Sequence, residues 1–379
     1  MAPLRVLHAR YNVGGHPQAL AEAERELGLE SWCVSLEETF RRIPTDEVLT
    51  EPGDSRLLLE ARRWGLLRRA LRDYDVVHFN NGQSIFPPLQ PFSTYAPEQP
   101  QLLRRAHYLY MRLLDMRDLA FLRRRGKGIV VTYQGDDGRL GASWGAEGSR
   151  FEIRLSEEAE YYTAESDEWK RRVIDKIAAQ ADRIFYLNPD LAVSLPEAAE
   201  FVPYAHVDPR EWQPVEADRS GPPVVVHAPF RRGVKGSEYV LEAVRRIQDE
   251  GVALEFILLE GRTHAEARQV FGQADLLVDQ LLLGWYGGIS VELMALGKPV
   301  VCHIRESDLG VVPPEMRAEI PIIRATTETI YDVLREWLTE RRDELPEVGR
   351  RGRAYVERWH DPLQIAGRMN GVYEEITSS

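Results

Sequence analysis

A group of cations in the second half of the sequence follows a short apolar run. Val224–His227 precedes residues 231–236, which contain Arg231, Arg232 and Lys235, and a helical pattern begins directly afterwards. Guanidinium and ammonium groups beside the free amides of a helix N-terminus can neutralise a diphosphate leaving group without a metal ion. The alternative is a solvated basic turn. The spacing therefore makes these three side chains candidates for anion binding.

A glycine pair stands in the turn after the first predicted strand. Gly14 and Gly15 follow the strand predicted over 4–8 and precede a helix predicted over 17–27. Glycine permits a tight turn and exposes backbone N–H groups, which can bind an anion or substrate hydroxyls. Any strand-to-helix turn also favours glycine, and the full Gly-x-Gly-x-x-Gly fingerprint is absent. Both interpretations of the pair stay open.

A second glycine turn leads into a helix that carries Glu292. Gly287, Gly288, Ile289 and Ser290 form the turn and the start of the helix, and the glycines allow a ligand to approach the backbone closely. The rest of this helix is mostly apolar, so we expect the carboxylate of Glu292 to face a cleft, where it can accept both hydroxyls of a ribose. The alternative is a glutamate favoured near the helix start by the macrodipole alone.

Polar side chains also follow the fourth predicted strand. Gln134, Asp136 and Asp137 come directly after the strand predicted over 128–133, at the edge where open α/β sheets bind ligands. An aspartate pair that caps the next helix or bonds its own turn is the structural alternative. His78 lies at the same edge, and we expect it to be a buried, hydrogen-bonded histidine.

The elements that must position these groups alternate along the whole chain. Short runs rich in valine, isoleucine and leucine alternate with helix-length charged segments, which is typical of parallel strands joined by crossover helices. We therefore predict an α/β fold with two similar halves and a linker over the proline-rich stretch 209–223. The predicted strands are 4–8, 31–36, 76–80, 128–133, 183–187, 223–227, 254–259, 276–279, 299–303 and 320–323, and the predicted helices include 17–27, 167–181, 237–249, 265–271 and 289–296.

Composition excludes several classes of protein. The chain has 379 residues and a formal net charge of −12, which argues against a general nucleic-acid binder. Cys33 and Cys302 lie far apart and outside any Cys/His cluster, so neither a disulfide scaffold nor a zinc site is indicated. The first apolar stretch is too short for a signal peptide, and no run approaches ~20 uncharged apolar residues. We therefore expect a protein of the reducing cytoplasm.

Together these residues resemble the GT-B fold glycosyltransferases, specifically the retaining family 4 type, over essentially the whole chain. Residues 274–277, the second glycine turn, Glu292 and residues 294–301 are similar to the donor-binding region of that family. Arg232 and Lys235 resemble its diphosphate-binding pair. By the same resemblance, the first glycine pair would lie against the donor phosphates or the acceptor.

The resemblance also implies an architecture of two Rossmann-like domains that face each other across a cleft. An acceptor-binding domain would comprise residues 1–208, and a nucleotide-sugar-binding domain would comprise residues 209–362. The segment 363–379 would form a C-terminal helix that returns to the first domain.

Two positions depart from the family pattern. The family carries two glutamates eight positions apart, but the position eight before Glu292 is Gly284, so a sugar-facing carboxylate is missing or is supplied by another residue such as Asp279. The family's histidine after the fourth strand is here Gln134, whose amide can hydrogen-bond a sugar hydroxyl but cannot titrate. Acid–base catalysis through that side chain is therefore excluded.

The resemblance implies transfer of a hexose from a UDP- or GDP-sugar to the hydroxyl of a glycan, a lipid-linked sugar or a small molecule, as in polysaccharide biosynthesis. Arg232, Lys235 and helix amides would stabilise the leaving diphosphate, and Gln134 with Asp136 or Asp137 would position the sugar. We expect retention of anomeric configuration, no metal and no tightly bound cofactor. A GT-B fold sugar-nucleotide 2-epimerase and a non-catalytic sugar-nucleotide or glycan binding module are the rival functions.

The segment from Arg62 to Lys127 is basic within an acidic protein. Its arginines are interleaved with apolar side chains, which suggests amphipathic helices that contact an anionic membrane at its inner face. Helices that pack on the core and point solvated arginines outward are the ordinary alternative. The interleaved side chains are Trp64, Leu66, Leu67, Leu103, Tyr108, Tyr110 and Leu113.

Overall fold

Two parallel β-sheets, one in each half of the chain, form the framework of the protein, and helices connect most of their strands. This arrangement confirms the predicted α/β fold. The computed structural model describes residues 3–38, 42–91, 100–141, 162–216 and 220–378. Residues 217–219 of the predicted linker lie outside these ranges.

The first sheet has seven parallel strands in the order β3-β2-β1-β4-β5-β6-β7. Its central strands β4 and β5 are buried along their whole length, as expected where helices cover both faces of a parallel sheet. The strands are β1 (Arg5–Ala9), β2 (Glu30–Glu37), β3 (Glu47–Thr50), β4 (Val76–Phe79), β5 (Gly128–Tyr133), β6 (Arg183–Tyr186) and β7 (Glu200–Phe201).

The second sheet has five parallel strands in the order β12-β11-β10-β8-β9. Its central strands β8 and β10 are short valine- and leucine-rich runs that are almost fully buried. The strands are β8 (Val224–His227), β9 (Glu255–Leu258), β10 (Leu276–Val278), β11 (Val300–Cys302) and β12 (Ile323–Arg324).

Several of the helices bury an apolar side in the core. In α7, for example, Val240, Ala243, Val244 and Ile247 recur at helical spacing and are all buried. Within the described ranges, no helix is both long enough and apolar enough to cross a lipid bilayer. The helices are α1 (His16–Glu26), α2 (Arg56–Asp73), α3 (Gln101–Leu114), α4 (Arg117–Arg124), α5 (Ala164–Ala178), α6 (Arg232–Lys235), α7 (Ser237–Asp249), α8 (His264–Gln273), α9 (Gly288–Ala295), α10 (Pro314–Ala318), α11 (Ile330–Thr339), α12 (Leu345–Trp359) and α13 (Pro362–Ser378).

The last helix, α13, packs on the first half of the chain. Its buried residues Ile365 and Met369 belong to the same apolar cluster as Leu20 and Ala23 of α1. Burial of this apolar surface favours association of the end of the chain with the first sheet.

A buried polar network joins α13 to that sheet. The hydroxyl of Tyr373 donates to Oε1 of Glu24 at 2.8 Å and lies 2.7 Å from Nδ1 of His78. Nε2 of His78 lies 2.7 Å from the hydroxyl of Thr132, and burial keeps the pKa of His78 well below its ordinary value. The ring is therefore neutral, with Nδ1–H donating to Tyr373 and Nε2 accepting from Thr132. The expectation of a buried, hydrogen-bonded His78 is confirmed.

Several element bounds differ from those predicted. Strand β12 was predicted over 320–323 and instead covers Ile323–Arg324, because Pro321 has no N–H to donate and pairing with β11 begins only after it. Strands β3 and β7 and the one-turn helix α6 were not predicted, since each is too short to show a period.

Candidate active site

A cavity of about 750 Å³ opens between the carboxyl ends of the two sheets. On the first-half side it is lined by Gly14, which follows β1, and Gln134, which follows β5. Ligands of parallel α/β sheets bind at this end of the strands, and the volume suits a small-molecule site. The lining residues of the second half are Ala228, Pro229, Phe230, Lys235, Leu259, Glu260, Gly261, Arg262, His264, Ala267, Phe271, Gly288, Ile289 and Glu292.

Lys235 reaches this cavity from the one-turn helix α6 and is held by a buried carboxylate. Its Nζ lies 2.6 Å from Oδ1 of Asp279 and 2.5 Å from Oε1 of Gln280. Oδ2 of Asp279 accepts from the N–H of Gly287 at 2.7 Å and from the hydroxyl of Ser290 at 2.6 Å. Burial would raise the pKa of Asp279, but the Lys235 charge and these donors outweigh it and lower that pKa. We refer to these two side chains as the Lys235–Asp279 pair.

Gly284 occupies the position at which the family pattern has its first glutamate. A Cβ at Gly284 would lie 2.5 Å from Cβ of Arg305 and 2.9 Å from Oδ2 of Asp308, so the position has no room for a side chain. Asp279, named above as a possible substitute, directs its carboxylate to Lys235, Gly287 and Ser290 instead.

Glu292 lies in the second turn of α9 and faces the cavity, as its position in an apolar helix led us to expect. Its Oε1 is 3.0 Å from Nε2 of His264 and 3.5 Å from Nε2 of His206. Burial alone would raise the pKa of Glu292, but the hydrogen bonds from the two histidines dominate and lower it to about 2. The carboxylate is therefore charged at neutral pH.

The N-terminus of α9 points its backbone into the same space. Gly288 and Ile289 line the cavity, and the N-cap residue, Gly287, has no side chain of its own to cap the helix. A Cβ on Gly287 would lie 3.1 Å from Nζ of Lys235, so glycine at this position allows the lysine to approach the helix start. The first amides of a helix have no partner within it and carry partial positive charge, so this end of the cavity suits an anion.

The first glycine pair adopts the backbone conformation that favours glycine. Gly14 and Gly15 have φ values of 63° and 79°. Gly14 lines the cavity, and a Cβ there would lie 3.8 Å from Oε1 of Gln134. Gly15 is the N-cap residue of α1, and a Cβ there would lie 3.7 Å from Cβ of His206. The turn therefore brings two backbone segments close together beside the cavity.

Of the three polar residues predicted after β5, the structure places one at the cavity and two away from it. Gln134 lines the cavity, and its Nε2 donates to the carbonyl of Asn80 at 2.6 Å. Asp137 accepts backbone N–H groups of Gln134, Gly135 and Gly82. Asp136 lies 3.0 Å from Nη1 of Arg139 and accepts from the hydroxyl of Tyr162. Asp137 thus makes the turn contacts that the structural alternative described, whereas Asp136 pairs with side chains. Neither aspartate lines the cavity.

The two arginines before Lys235 are not among the residues that line the cavity. Arg232 forms a double hydrogen bond with Glu260, at 2.8 Å through Nε and 2.5 Å through Nη2, and its side chain is 47% exposed. Burial would raise the pKa of Asp136, but Arg139 and other neighbours, Arg231 among them, lower it. The structure therefore brings Lys235 but not Arg231 or Arg232 into contact with the cavity.

Sequence reasoning missed His206, His264, Glu260 and Phe230, all of which line the cavity. His206 lies five residues after the end of β7, and nothing in a single sequence shows that its ring meets Glu292. Within the ranges that the structure describes, no three His, Cys, Asp or Glu side chains are arranged to hold a metal ion.

Comparison with known proteins identifies the fold. No protein-family model matches the chain, and no curated protein matches it. Among solved structures, it is similar to sucrose-phosphate synthase from Thermosynechococcus elongatus, with a TM-score of 0.61, 15% identity and 99% of each chain covered. It is also similar to HepE of Anabaena in complex with UDP and glucose, with a TM-score of 0.59, 12% identity, and 98% of this chain and 100% of that chain covered.

A third similar structure is the catalytic domain of starch synthase IV from Arabidopsis thaliana bound to ADP and acarbose, with a TM-score of 0.59, 9% identity and 100% of each chain covered. At these identities the likeness establishes a shared fold and leaves the activity to be argued from the site. The chain therefore has the GT-B fold of two Rossmann-like domains that face each other across a cleft.

Proposed function

We propose that this chain is a glycosyltransferase that moves a sugar from a nucleoside diphosphate sugar to an acceptor hydroxyl. The observation that carries the proposal is the meeting of Lys235, the start of α9 and the charged Glu292 around one cavity. An ammonium group and helix amides suit a diphosphate, and a carboxylate suits a ribose diol. The solved complexes of HepE with UDP and glucose and of starch synthase IV with ADP are consistent with this chemistry.

In the proposed reaction, the bond between the anomeric carbon and the terminal phosphate oxygen breaks while the acceptor oxygen approaches the same face of the sugar. Lys235 and the amides of Gly288 and Ile289 stabilise the charge that develops on the leaving phosphate. The acceptor proton passes to the departing phosphate oxygen, so the anomeric configuration is retained and no protein nucleophile is needed. This scheme draws its charge stabilisation from the protein rather than from a divalent metal.

The remaining residues have supporting roles in this proposal. Gly14 and Gln134 contact the transferred sugar or the acceptor from the first half, and Asp136 and Asp137 hold the loop that carries Gln134 in place. Arg232 is paired with Glu260, so it contributes to diphosphate binding only when donor binding breaks that ion pair.

The proposal is tested by incubating the full chain with UDP-, GDP- and ADP-sugars, with and without candidate acceptors, and following the products by mass spectrometry. A glycosyltransferase releases nucleoside diphosphate and adds one sugar mass to an acceptor. Release of a nucleotide sugar with an altered sugar would instead indicate an epimerase, and binding without any product would indicate a non-catalytic module. Lys235→Met should slow release by about 10²–10³-fold, whereas Lys176→Met, which removes an ion-paired lysine on α5, serves as the control.

A further inference from the structure

Helix α3, in the basic segment, exposes an apolar stripe. Leu102, Leu109 and Leu113 recur at spacings that place them on one side of the helix, and their side chains are 80%, 58% and 62% exposed. Only Met111 and Leu114 of this helix are buried. Surface helices normally turn their apolar residues toward the core, so this arrangement is the reverse of the usual one. Contiguous exposed apolar surface of this kind marks an interaction site.

The stripe continues onto the neighbouring helix α2. Nε1 of Trp64 donates to the hydroxyl of Tyr110 at 3.0 Å, and that hydroxyl donates to Glu60 at 2.9 Å, so the two helices lie side by side. Trp64 is 44% exposed and Leu57, two turns earlier on the same side of α2, is 84% exposed. We call this surface the leucine face. It comprises Leu57, Trp64, Leu102, Leu103, Leu109 and Leu113.

The leucine face is bordered by positive charge. Residues 101–127 contain eight arginines and lysines but only two acids. Both acids turn toward the protein: Asp118 is buried and accepts from Ser84 and Ile85, and Asp115 pairs with Lys176. Arg105 and Arg112, which flank the leucine stripe on α3, are exposed and form no ion pair with the described residues. The exposed charge here is therefore basic, although the protein as a whole carries −12.

We propose that the leucine face docks on the surface of an anionic lipid bilayer. The leucines would enter the boundary between headgroups and acyl chains, while Arg105 and Arg112 would contact lipid phosphates. A second copy of the chain would instead bring these arginines against their own counterparts, and like charges at a shared interface repel. Helix α2 contributes fewer of its apolar side chains to the membrane contact, because its Leu66 and Leu67 are buried in the core.

This surface is independent of the proposed catalytic function, so the two can be tested separately. The full chain is sedimented with vesicles of phosphatidylcholine alone and with vesicles of equal parts phosphatidylcholine and phosphatidylglycerol. The proposal predicts binding to the anionic vesicles that weakens as salt is added, and little binding to phosphatidylcholine alone. Equal binding to both kinds of vesicle, or to neither, would overturn it.

Two pairs of variants locate the contact on α3. Leu109→Gln with Leu113→Gln should weaken binding to the anionic vesicles at least about tenfold by removing apolar insertion. Arg105→Gln with Arg112→Gln should weaken it about thirtyfold by removing two charges. Leu27→Gln and Arg351→Gln, at exposed positions in α1's C-terminal turn and in α12, are the matched controls and should leave binding unchanged.

All substituted side chains are exposed, so thermal unfolding of the variants should match that of the wild type. Wild-type affinity in both variant pairs would show that the contact is elsewhere and would overturn the proposal. Sedimentation equilibrium without lipid provides a further check. A dimer that is lost in the leucine variants would assign the leucine face to a second copy of the chain instead of a membrane.

Discussion

Replacing Lys235 with methionine perturbs both the stability and the proposed chemistry of the protein. In the wild type, Asp279 is almost completely buried and lies 2.6 Å from the ammonium group. Lys235→Met keeps most of the length and the apolar stem of the side chain but removes its charge. Asp279 then keeps only the donors Gly287 N–H and Ser290 hydroxyl, and its buried negative charge is no longer balanced.

The size of both effects follows from this geometry. Breaking a buried ion pair from one side costs about 3–5 kcal/mol of unfolding free energy, and we expect the lower end because two donors remain. Loss of one group that stabilises a developing oxyanion lowers turnover by about 10²–10³-fold. A second substitution, Asp279→Asn, removes the unbalanced charge. The double variant should therefore recover most of the lost stability while its turnover stays low.

The assay combines urea unfolding with release of nucleoside diphosphate for the wild type, Lys235→Met and the double variant. Lys176→Met controls for loss of an exposed ion-paired lysine and should behave as the wild type in both measurements. If the double variant regains wild-type turnover, Lys235 acts only by balancing Asp279. That result would refute its role in stabilising the leaving group.

Three further substitutions test other parts of the structure. Glu292→Gln should abolish any preference for ribonucleotides over 2′,3′-dideoxyribonucleotides in calorimetric titrations, because a charged acceptor of the diol is lost. The pKa of Glu292 is about 2 in the folded protein, below the ordinary 4.5. The ionised carboxylate therefore contributes about 3 kcal/mol to the unfolding free energy above pH 4.5, and this contribution is lost as the pH falls toward 2. Unfolding free energies of the wild type and Glu292→Gln should therefore converge over that range. Gly287→Ala should reduce diphosphate affinity about tenfold, because its methyl group would press on the Lys235–Asp279 pair. Tyr373→Phe should lower the unfolding free energy by about 1–3 kcal/mol in urea, because Glu24 and His78 lose a buried partner.

Each of these expectations has a contrary result. An undiminished ribose preference in Glu292→Gln would place the diol elsewhere, and a gap between the two unfolding curves that persists at low pH would contradict the low pKa. Wild-type diphosphate affinity in Gly287→Ala would show that the start of α9 is not in contact with the phosphates. An unchanged stability of Tyr373→Phe would mean that the network under α13 contributes little.

The fold could be predicted where a pattern is long or complete. The bounds of β5 (Gly128–Tyr133) and α7 (Ser237–Asp249) agree with the sequence prediction at both ends, because each has a full apolar run or a full helical period. The short elements β3, β7 and α6 carry too few residues for a period to appear. Strand β12 begins later than predicted because Pro321, which lies within the apolar run, has no N–H to donate to a neighbouring strand.

Local spacing predicted some of the residues that line the cavity, but it also predicted Arg231, Arg232, Asp136 and Asp137, which do not line it. Lys235 and Glu292 were identified because each follows a recognisable turn, and both line the cavity. Their partners Asp279, His206 and His264 come from distant segments, and only the folded chain brings them together. A contact of this kind has no periodic or local sequence pattern, so the pairing of Glu292 with two histidines could not be deduced.

The central claim is that a nucleoside diphosphate binds with its phosphates at Lys235 and the start of α9. Calorimetric titration of a nucleoside, its monophosphate and its diphosphate measures what the second phosphate adds to affinity. We predict a gain of about tenfold or more in the wild type and in Lys176→Met, and almost none in the Lys235→Met/Asp279→Asn double variant. The same gain in that double variant would place the diphosphate away from Lys235 and contradict the account.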